Sequence, residues 1–324
     1  MTEDELIARF LAPMAGAGGL SLKDDAALFR PTPGHELVMT ADGIVAGVHF
    51  FPDDPPQGIA RKALAVNVSD LAAKGAEPRG FLLTLGLPTA WTPDWLEAFC
   101  AGLAAAVQDF GCPLLGGDTV RSPLGLVLSV AAFGETPQGT MVRRTTAQPG
   151  DAVCVTGTIG DAALGLALRV ADHPWAGRLD HADRTFLVDR YLHPQPRLAL
   201  AAALREHASA AMDVSDGLAG DLAKMLRASG VTATVQLDRV PLSDPARRAL
   251  AADPTLLDRI VTGGDDYEIL LTVPPVRLAA FQAAATTAGV PTTVIGEVRE
   301  GEGPPVFRDE ASERRYARGA YSHF

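Results

Sequence analysis

The sequence is poor in cysteine and lacks any long apolar run. Its three cysteines, Cys100, Cys112 and Cys154, lie far apart and form no CxxC pair. This odd, scattered set argues against a disulfide framework or a zinc site and predicts buried, reduced thiols. No apolar run reaches the ~18 residues that span a bilayer. The acidic, amphipathic start MTEDELIARFLAP is unlike a secretory signal. We therefore expect a cytoplasmic protein with no membrane partner.

The sequence is also short of positive charge. Lysine and arginine together number 28, against 39 aspartates and glutamates, which gives a formal net charge of −11. We expect no nucleic-acid partner, because such binding depends on clustered basic side chains. An acidic protein that binds phosphates must place cations between the two, and carboxylate-held Mg²⁺ is the usual solution. The sequence has no GxxxxGK[ST], which excludes a P-loop.

The chain has enough length and apolar content for two domains. It has 324 residues, 47% of them hydrophobic and 21% charged, the balance of a globular protein. A stretch rich in polar residues, Gly and Pro at 135–151 marks a boundary, so we predict domains over 1–140 and 141–324. Strands and helices are interleaved in both domains, which predicts an α/β and α+β architecture.

Hydrophobic periodicity places the elements of both domains. Residues 172–196, which contain three prolines, give no clear assignment. The predicted strands are 36–40, 81–87, 114–115, 126–133, 152–156, 208–214, 231–237, 269–273 and 292–298, and the predicted helices are 1–12, 57–75, 93–110, 162–170, 218–228 and 276–288.

Aspartates recur in one setting, beside glycine and just after a predicted apolar strand. Strand ends are where an α/β scaffold presents ligand groups, and a neighbouring glycine lets phosphate or metal approach the backbone. Converging carboxylates need cations to offset their repulsion, so the pattern predicts several Mg²⁺ ions and a polyphosphate. Any one acid could instead be a turn residue or a helix cap, as Asp213 or Asp216 could be for a helix beginning near Leu218. The acids are Asp24, Asp25, Asp42, Asp118, Asp213, Asp216, Asp265 and Asp266.

Asp70 is the exception, because it lies inside the predicted helix 57–75. It shares one helix face with Asn67, three residues before it, in the largely apolar run ARKALAVNVSDLAAKGA. A polar pair in such a run needs partners, since leaving a buried polar group unpaired costs about 1–3 kcal/mol. Two interpretations stay open here: hydrogen bonds to a neighbouring loop, or Asp70 facing a metal cleft.

Two further segments carry weaker signals. The segment TGTIGDAALG (156–165) has the pattern of a strand, a glycine turn and a helix start. Such a helix N-terminus could bind phosphate, although an ordinary strand-to-helix turn is the favoured interpretation. His49 lies between apolar residues in GVHFFP, a setting more typical of a structural histidine than of a catalytic one.

Seven segments occur in an order that resembles the thiamine-monophosphate kinases. They are DDAALF (24–29), TADGIVAGVHF (40–50), KALAVNVSDLAAKGAEP (62–78), GGDT (116–119), TGTIGD (156–161), MDVSDGL (212–218) and GGDDYE (263–268). The resemblance covers nearly the whole chain, through to the terminal YSHF. The wider group includes aminoimidazole ribonucleotide synthetase, selenophosphate synthetase and a hydrogenase-maturation protein, all of which use ATP.

The resemblance implies a fold and a reaction. The N-terminal α/β domain would bind ATP and Mg²⁺ and form a homodimer through its sheet, and the C-terminal α+β domain would complete the active site. ATP would phosphorylate thiamine monophosphate to thiamine diphosphate, with release of ADP and a requirement for Mg²⁺.

The resemblance also implies roles for residues at matching positions. The magnesium ligands would be Asp25, Thr40, Asp42, Asp70, Asp118, Asp213 and Asp216, with Asp70 and Asp213 essential for turnover. The ATP contacts would be Gly117, Asp118, Arg144 and Ser215. The contacts to thiamine monophosphate would be His49, Asp265 and the aromatic ring of Tyr321, with Tyr316 as the other candidate ring.

At three positions the chain departs from the family's pattern. Leu22-Lys23 stands where the family commonly has Gly-Ile-Gly before the paired acids, so Lys23 could donate to a phosphate or be merely exposed. Ala41 stands where Thr is common, which removes a side-chain ligand. Asp265 stands where Glu is common, which keeps the charge but shortens the reach.

Two other functions remain open at this stage. The first is a related ATP-dependent enzyme that makes a different bond, such as an amidine ring closure or selenophosphate. Selenophosphate synthetases usually carry a reactive Cys or selenocysteine near the N-terminus, and here no cysteine precedes Cys100. The second is a non-catalytic nucleotide-binding module, which would have no need for so many mutually repelling carboxylates.

Overall fold

The fold is described from a computed structural model, which covers residues 2–310 and 312–316. The chain forms two compact units. Unit 1 comprises residues up to 71 together with 76–141, and unit 2 comprises 72–75 together with residues from 142 onward. Helices and strands are mixed in both units, which confirms the predicted class. Within the described residues, no helix is long and apolar enough to cross a membrane.

Unit 1 contains four strands and three helices among its described residues. The strands are β1 His35–Val45, β2 Glu77–Pro88, β3 Leu114–Ser122 and β4 Val127–Pro137. The helices are α1 Glu3–Leu6, α2 Pro56–Ala73, whose last residues belong to unit 2, and α3 Pro93–Phe110. The helix predicted over 1–12 is confirmed from Glu3 onward, but its winding changes from α in α1 to a π-helix at Ile7–Leu11 and a 3-10 helix at Ala12–Met14.

The strands of unit 1 form one sheet in the order β1-β4-β2-β3. Strand β4 pairs antiparallel with β1 and β2, and β2 pairs parallel with β3. The two edges of the sheet are therefore β1 and β3. Its two faces differ, since in β1 Val38 and Ile44 are buried whereas Leu37 and Met39 are 41% and 66% exposed. The buried face lies against α2, which is apolar on nearly all sides, as expected of an enclosed helix.

Unit 2 contains a mixed sheet in which one strand separates two hydrophobic cores. The strands are β5 Ala152–Thr156, β6 Ala210–Asp213, β7 Thr232–Gln236, β8 Ile269–Val273, β9 Thr292–Arg299, β10 Val306–Arg308 and β11 Glu313–Arg314, in the order β11-β10-β7-β9-β5-β8-β6. In β5, Val153 and Val155 pack into one core, whereas Cys154 packs into the other. This alternation is the two-residue period of a strand buried on both faces.

Helices cover both faces of this sheet. They are α4 Asp161–Val170, α5 His181–Leu192, α6 Ala201–His207, α7 Leu218–Ser229, α8 Asp244–Ala252, α9 Leu256–Thr262 and α10 Pro275–Thr287. Helix α5 and the 3-10 turn Pro174–Arg178 occupy the segment that the sequence left unassigned. Asp180 caps α5 by accepting a hydrogen bond from the Asp183 amide at 2.8 Å. All three prolines of this segment lie outside α5, so none interrupts its hydrogen bonds.

Candidate active site

The first group of site residues joins β1 to α2 within unit 1. Thr40 and Asp42 lie two residues apart in β1 and so project from the same face of the strand. The Thr40 hydroxyl donates to Asp70 Oδ2 at 2.5 Å, and the Asp42 amide donates to Asn67 Oδ1 at 2.9 Å. Asn67 is fully buried and also donates to the Ala63 carbonyl at 3.1 Å. The polar pair of α2 thus finds its partners in a strand and not in a loop.

This geometry changes the interpretation of Ala41. Because side chains alternate along a strand, residue 41 projects from the face opposite to Thr40 and Asp42. Ala41 is exposed on that opposite face. A hydroxyl at this position would point away from Asp70, so its absence leaves the group formed by Thr40, Asp42 and Asp70 unchanged.

The second group of site residues lines a cavity of about 710 Å³, also within unit 1. Asp24, Asp25 and Asp118 lie on its wall, together with Gly117 and Thr84. Much of the remaining wall is apolar and includes Ile7, Leu11, Phe29, Leu82, Leu115 and Phe133. A cavity with an acidic side and an apolar side suits a ligand that joins charged groups to a flat ring.

Gly117 is required by the close approach of β3 to β2. A Cβ at this position would lie 1.8 Å from the Leu83 carbonyl oxygen, closer than any two such atoms can approach. Glycine lets the two parallel strands pair here and places the backbone of Gly117 on the cavity wall.

The acids of unit 1 therefore form two separate groups. Asp42 lies in β1 and Asp118 in β3, the opposite edges of the sheet, which are about 14 Å apart at three strand spacings. Across residues 2–310 and 312–316, no three His, Cys, Asp or Glu side chains are grouped closely enough to hold a metal ion.

The predicted position of the acids just after strands is wrong at several sites. Asp42 and Asp118 lie inside β1 and β3, which continue to Val45 and Ser122. Asp265 follows α9 and precedes β8. Only Asp213 ends a strand. The error arises because a strand with one face in solvent carries polar residues on that face. In the sequence, these residues resemble a turn at the end of the strand.

In unit 2 the loop after β6 lies beside the loop before β8. The Val214 amide donates to the Glu268 carbonyl and the Tyr267 amide to the Val214 carbonyl, both at 2.8 Å. The Asp265 amide donates to the Ser215 carbonyl at 2.9 Å. Asp265 and Tyr267 have positive φ values of 71° and 49°. Such strain costs about 1–3 kcal/mol per residue and tends to occur at functional loops.

Asp216 pairs with a lysine from the next helix. Lys224 Nζ donates to Asp216 Oδ2 and, at 2.8 Å, to Asp221 Oδ1. Burial lowers the pKa of Lys224, but its hydrogen bonds to the two carboxylates outweigh that effect and raise it. The alternative role of Asp216 as a helix cap is wrong, because α7 is preceded by Gly217 and has no side-chain cap.

Asp266 lies at the N-terminus of α4, the helix start that could have bound phosphate according to the sequence. Its carboxylate accepts hydrogen bonds from the amides of Gly160 at 2.7 Å and Ala162 at 3.3 Å. Burial raises the pKa of Asp266 well above its ordinary value, and these amides oppose that rise. The favoured interpretation of 156–165 as a strand-to-helix turn agrees with this arrangement, because the donors at the start of α4 already have an anion.

A buried ion cluster around Glu268 was missed by the sequence analysis. Glu268 has no exposed surface and accepts hydrogen bonds from Thr156 at 2.6 Å and Arg190 at 2.9 Å. Arg197 adds two more, one of them at 2.7 Å. The only sequence signal was an acid just before an apolar strand, which cannot reveal two arginines some 70 residues away. Arg190 also donates to the Asp266 carbonyl at 3.4 Å, which connects the cluster to the strained Asp265–Tyr267 loop.

The remaining predicted residues occupy varied settings. His49 Nδ1 accepts a hydrogen bond from the Val45 amide at 3.1 Å, and buried Lys62 donates to the His49 carbonyl at 2.9 Å. Arg144 is exposed, and its carbonyl accepts from Ser229. Tyr316 packs edge-on against Phe307 and donates to Asp258, a structural setting. Tyr321 lies outside the described residues.

We expect Glu268→Gln to lower the free energy of unfolding by about 3–5 kcal/mol, because it leaves the buried Arg190 and Arg197 without a counter-charge. Arg190 is only 5% exposed. Chemical denaturation measures the change. The matched control is Glu297→Gln, which removes an exposed partner of Arg299 and should change stability by less than about 0.5 kcal/mol. Equal losses in the two variants would contradict the account.

Two family models together match most of the chain. Residues 23–136 match the N-terminal domain of AIR synthase related proteins, and residues 148–308 match the corresponding C-terminal domain. A thiamine-monophosphate kinase from Caulobacter vibrioides is 44% identical over 311 residues, which cover 94% of this chain and 86% of the relative.

Two solved structures are also similar to this chain. A thiamine-monophosphate kinase from Stenotrophomonas maltophilia is 41% identical, with a TM-score of 0.79 over 89% of this chain and 90% of that one. The structure named AaThiL, complexed with AMPPCP and TMP, is 28% identical, with a TM-score of 0.77 over 99% of this chain and 94% of that one.

Proposed function

This chain belongs to the thiamine-monophosphate kinase family, within the AIR synthase related proteins, and on that premise we propose that it transfers the γ-phosphoryl group of ATP to thiamine monophosphate. The products are thiamine diphosphate and ADP. The observation that carries the proposal is likeness to thiamine-monophosphate kinases over nearly the whole chain. A related structure with an ATP analogue and TMP bound supports the choice of substrates.

The donor set in both units suits Mg²⁺. The proposed ligands are all hard oxygen atoms, and Mg²⁺ is usually bound by one or two carboxylates, several waters and the phosphates of a substrate. In unit 1 the proposed ligands fall into two small groups, with Thr40 beside Asp70 in one and Asp25 and Asp118 on the wall of one cavity in the other, and phosphate oxygens and waters would complete the coordination. We assign the metal ligands to Asp25, Thr40, Asp42, Asp70, Asp118, Asp213 and Asp216.

The substrates are assigned to the remaining residues. The backbone of Gly117 would lie by the ATP phosphates with Asp118. Arg144 and Ser215 are the other proposed ATP contacts. His49, Asp265 and Tyr321 are proposed to contact thiamine monophosphate.

The proposed reaction does not require a strong general base. The attacking atom is a phosphate monoester oxygen that is already largely ionised at neutral pH, so no side chain needs to remove a proton from it. Magnesium, when bound, supplies charge neutralisation and lets two anions approach. The side chains act by holding the donor and acceptor phosphates in line, and Arg144 adds positive charge at the triphosphate.

We further propose that the enzyme is a cytoplasmic homodimer formed through the sheet of unit 1. The face of this sheet opposite α2 exposes Leu37, Met39, Leu82 and Val127, and contiguous apolar surface of this kind marks an interface. A second sheet packed on this face would also bring the β1 edge of one copy towards the β3 edge of the other. We propose that each active site takes the group of Thr40, Asp42 and Asp70 from the β1 edge of one copy and the group with Asp118 from the β3 edge of the other.

The activity is tested by incubating the full chain with ATP and Mg²⁺, with thiamine monophosphate or with unphosphorylated thiamine. We expect thiamine diphosphate and ADP to form in equal amounts, and only with the monophosphate, because the acceptor must carry an ionised phosphate oxygen. Chromatography of both products measures this ratio. ADP release without thiamine diphosphate would refute the acceptor and point to another reaction of the AIR synthase related proteins.

The shared site is tested by complementation between two variants. Asp70→Asn and Asp118→Asn should each abolish turnover as homodimers, because each removes a metal ligand. A heterodimer of the two, purified through two different tags, holds one intact site and should show about half of the wild-type activity. A doubly tagged Asp70→Asn homodimer is the control and should stay inactive. An inactive heterodimer would place both acids in the same copy.

A further inference from the structure

The loop that carries Asp216 has a fixed backbone. Asp221, which has no exposed surface, accepts hydrogen bonds from the amides of Ser215 at 3.0 Å and Asp216 at 2.9 Å. On the other side, the Ser215 carbonyl accepts from the Asp265 amide at 2.9 Å. The carboxylate of Asp216 is therefore the part of this residue that remains able to exchange partners.

The current partner of that carboxylate is a cation from the protein itself. Lys224 lies one turn after Asp221 on α7, so its ammonium group reaches both carboxylates at once. The two acids and the lysine sum to one negative charge. Removing the lysine would take away the positive charge beside Asp216 and so make this carboxylate a stronger ligand for a divalent cation.

Exposure determines which of the two contacts can open. The side chains of Lys224 and Asp216 are 30% and 34% exposed, whereas that of Asp221 is fully buried. A cation from solvent can therefore reach Asp216 but not Asp221. Lys224 can release Asp216 and keep Asp221, so that the buried carboxylate retains a counter-charge throughout.

We propose that Lys224 is a positioning residue that competes with divalent cations for Asp216 and so keeps metal binding weak until a nucleotide is present. The inference rests on the proposed function, in which Asp216 is a metal ligand. Its consequence is that metal enters this site together with the ATP phosphates, which contribute the ligands and the negative charge needed to displace the ammonium group.

The test measures Mn²⁺ binding to the full chain without nucleotide. Electron paramagnetic resonance detects the Mn²⁺ that remains free. Lys224→Gln and Lys224→Met should each lower the Kd for Mn²⁺ by about three- to tenfold, since removing a nearby positive charge favours a divalent cation. Lys224→Arg should bind as the wild type does. Arg227→Gln removes an exposed charge from the same helix and should change nothing. An unchanged or higher Kd in the two neutral variants would overturn the proposal.

A second measurement uses the unmodified chain, so it does not depend on the folding of a variant. The sequence contains four lysines, Lys23, Lys62, Lys74 and Lys224, which makes the lysine ¹³Cε resonances simple to resolve, with Lys224→Arg as the assignment control. Mg²⁺ together with ATP should shift the Lys224 resonance and leave that of buried Lys62 in place. A Lys224 resonance that stays fixed at saturating Mg²⁺ and ATP would refute the displacement.

The kinase assay on the same preparations separates the two claims. If thiamine diphosphate forms while the Kd for Mn²⁺ is equal in all variants, the role of Lys224 is refuted and the proposed function stands. If the neutral variants bind Mn²⁺ more tightly while no diphosphate forms, the competition at Asp216 stands and the proposed function is refuted.

Discussion

Repulsion between negative charges is the constraint on which the rest of this structure depends. The chain carries a net charge of −11, and its proposed reaction transfers a phosphoryl group from one phosphorylated molecule to another. The acids divide into two classes that meet this constraint differently. Buried acids already have partners within the protein: Glu268 has two arginines, Asp266 has the amides at the start of α4, and Asp221 has two amides and Lys224.

The acids of the second class reach the surface. Asp25, Asp42 and Asp118 are exposed, and Asp70 and Asp216 are partly so. These carboxylates can exchange a protein partner or water for a cation, which the buried ones cannot do without a large desolvation cost. The buried set therefore contributes to stability, and the exposed set includes most of the acids that we propose as metal ligands. Asp213 is the intermediate case, because it is 6% exposed at the end of β6.

Part of the candidate site could be predicted from the sequence, because some polar residues occur in unusual settings. The polar pair on α2 stood out in an apolar helix, and Asn67 and Asp70 both contact β1. The sequence could not reveal which side chains form ion pairs when they are far apart along the chain. Arg190 and Arg197 bind Glu268 from about 70 residues away.

The lengths of the strands also could not be predicted from the sequence. The polar face of a half-exposed strand has the same composition as a turn, so Asp42 and Gly117 were placed after strands that in fact continue past them. The strand order matters more, because β1 and β3 are the opposite edges of the sheet and therefore keep their acids apart. The proposed dimer follows from this distinction.

The central claim is that the chain transfers a phosphoryl group directly between two anions held in line, without a phosphoenzyme. The stereochemical course at phosphorus tests it most directly. With ATP made chiral at the γ-phosphorus by oxygen isotopes, a single in-line transfer to thiamine monophosphate must invert the configuration. The account predicts inversion in the thiamine diphosphate formed, and retention of configuration would contradict it by requiring two successive transfers through an enzyme-bound phosphate.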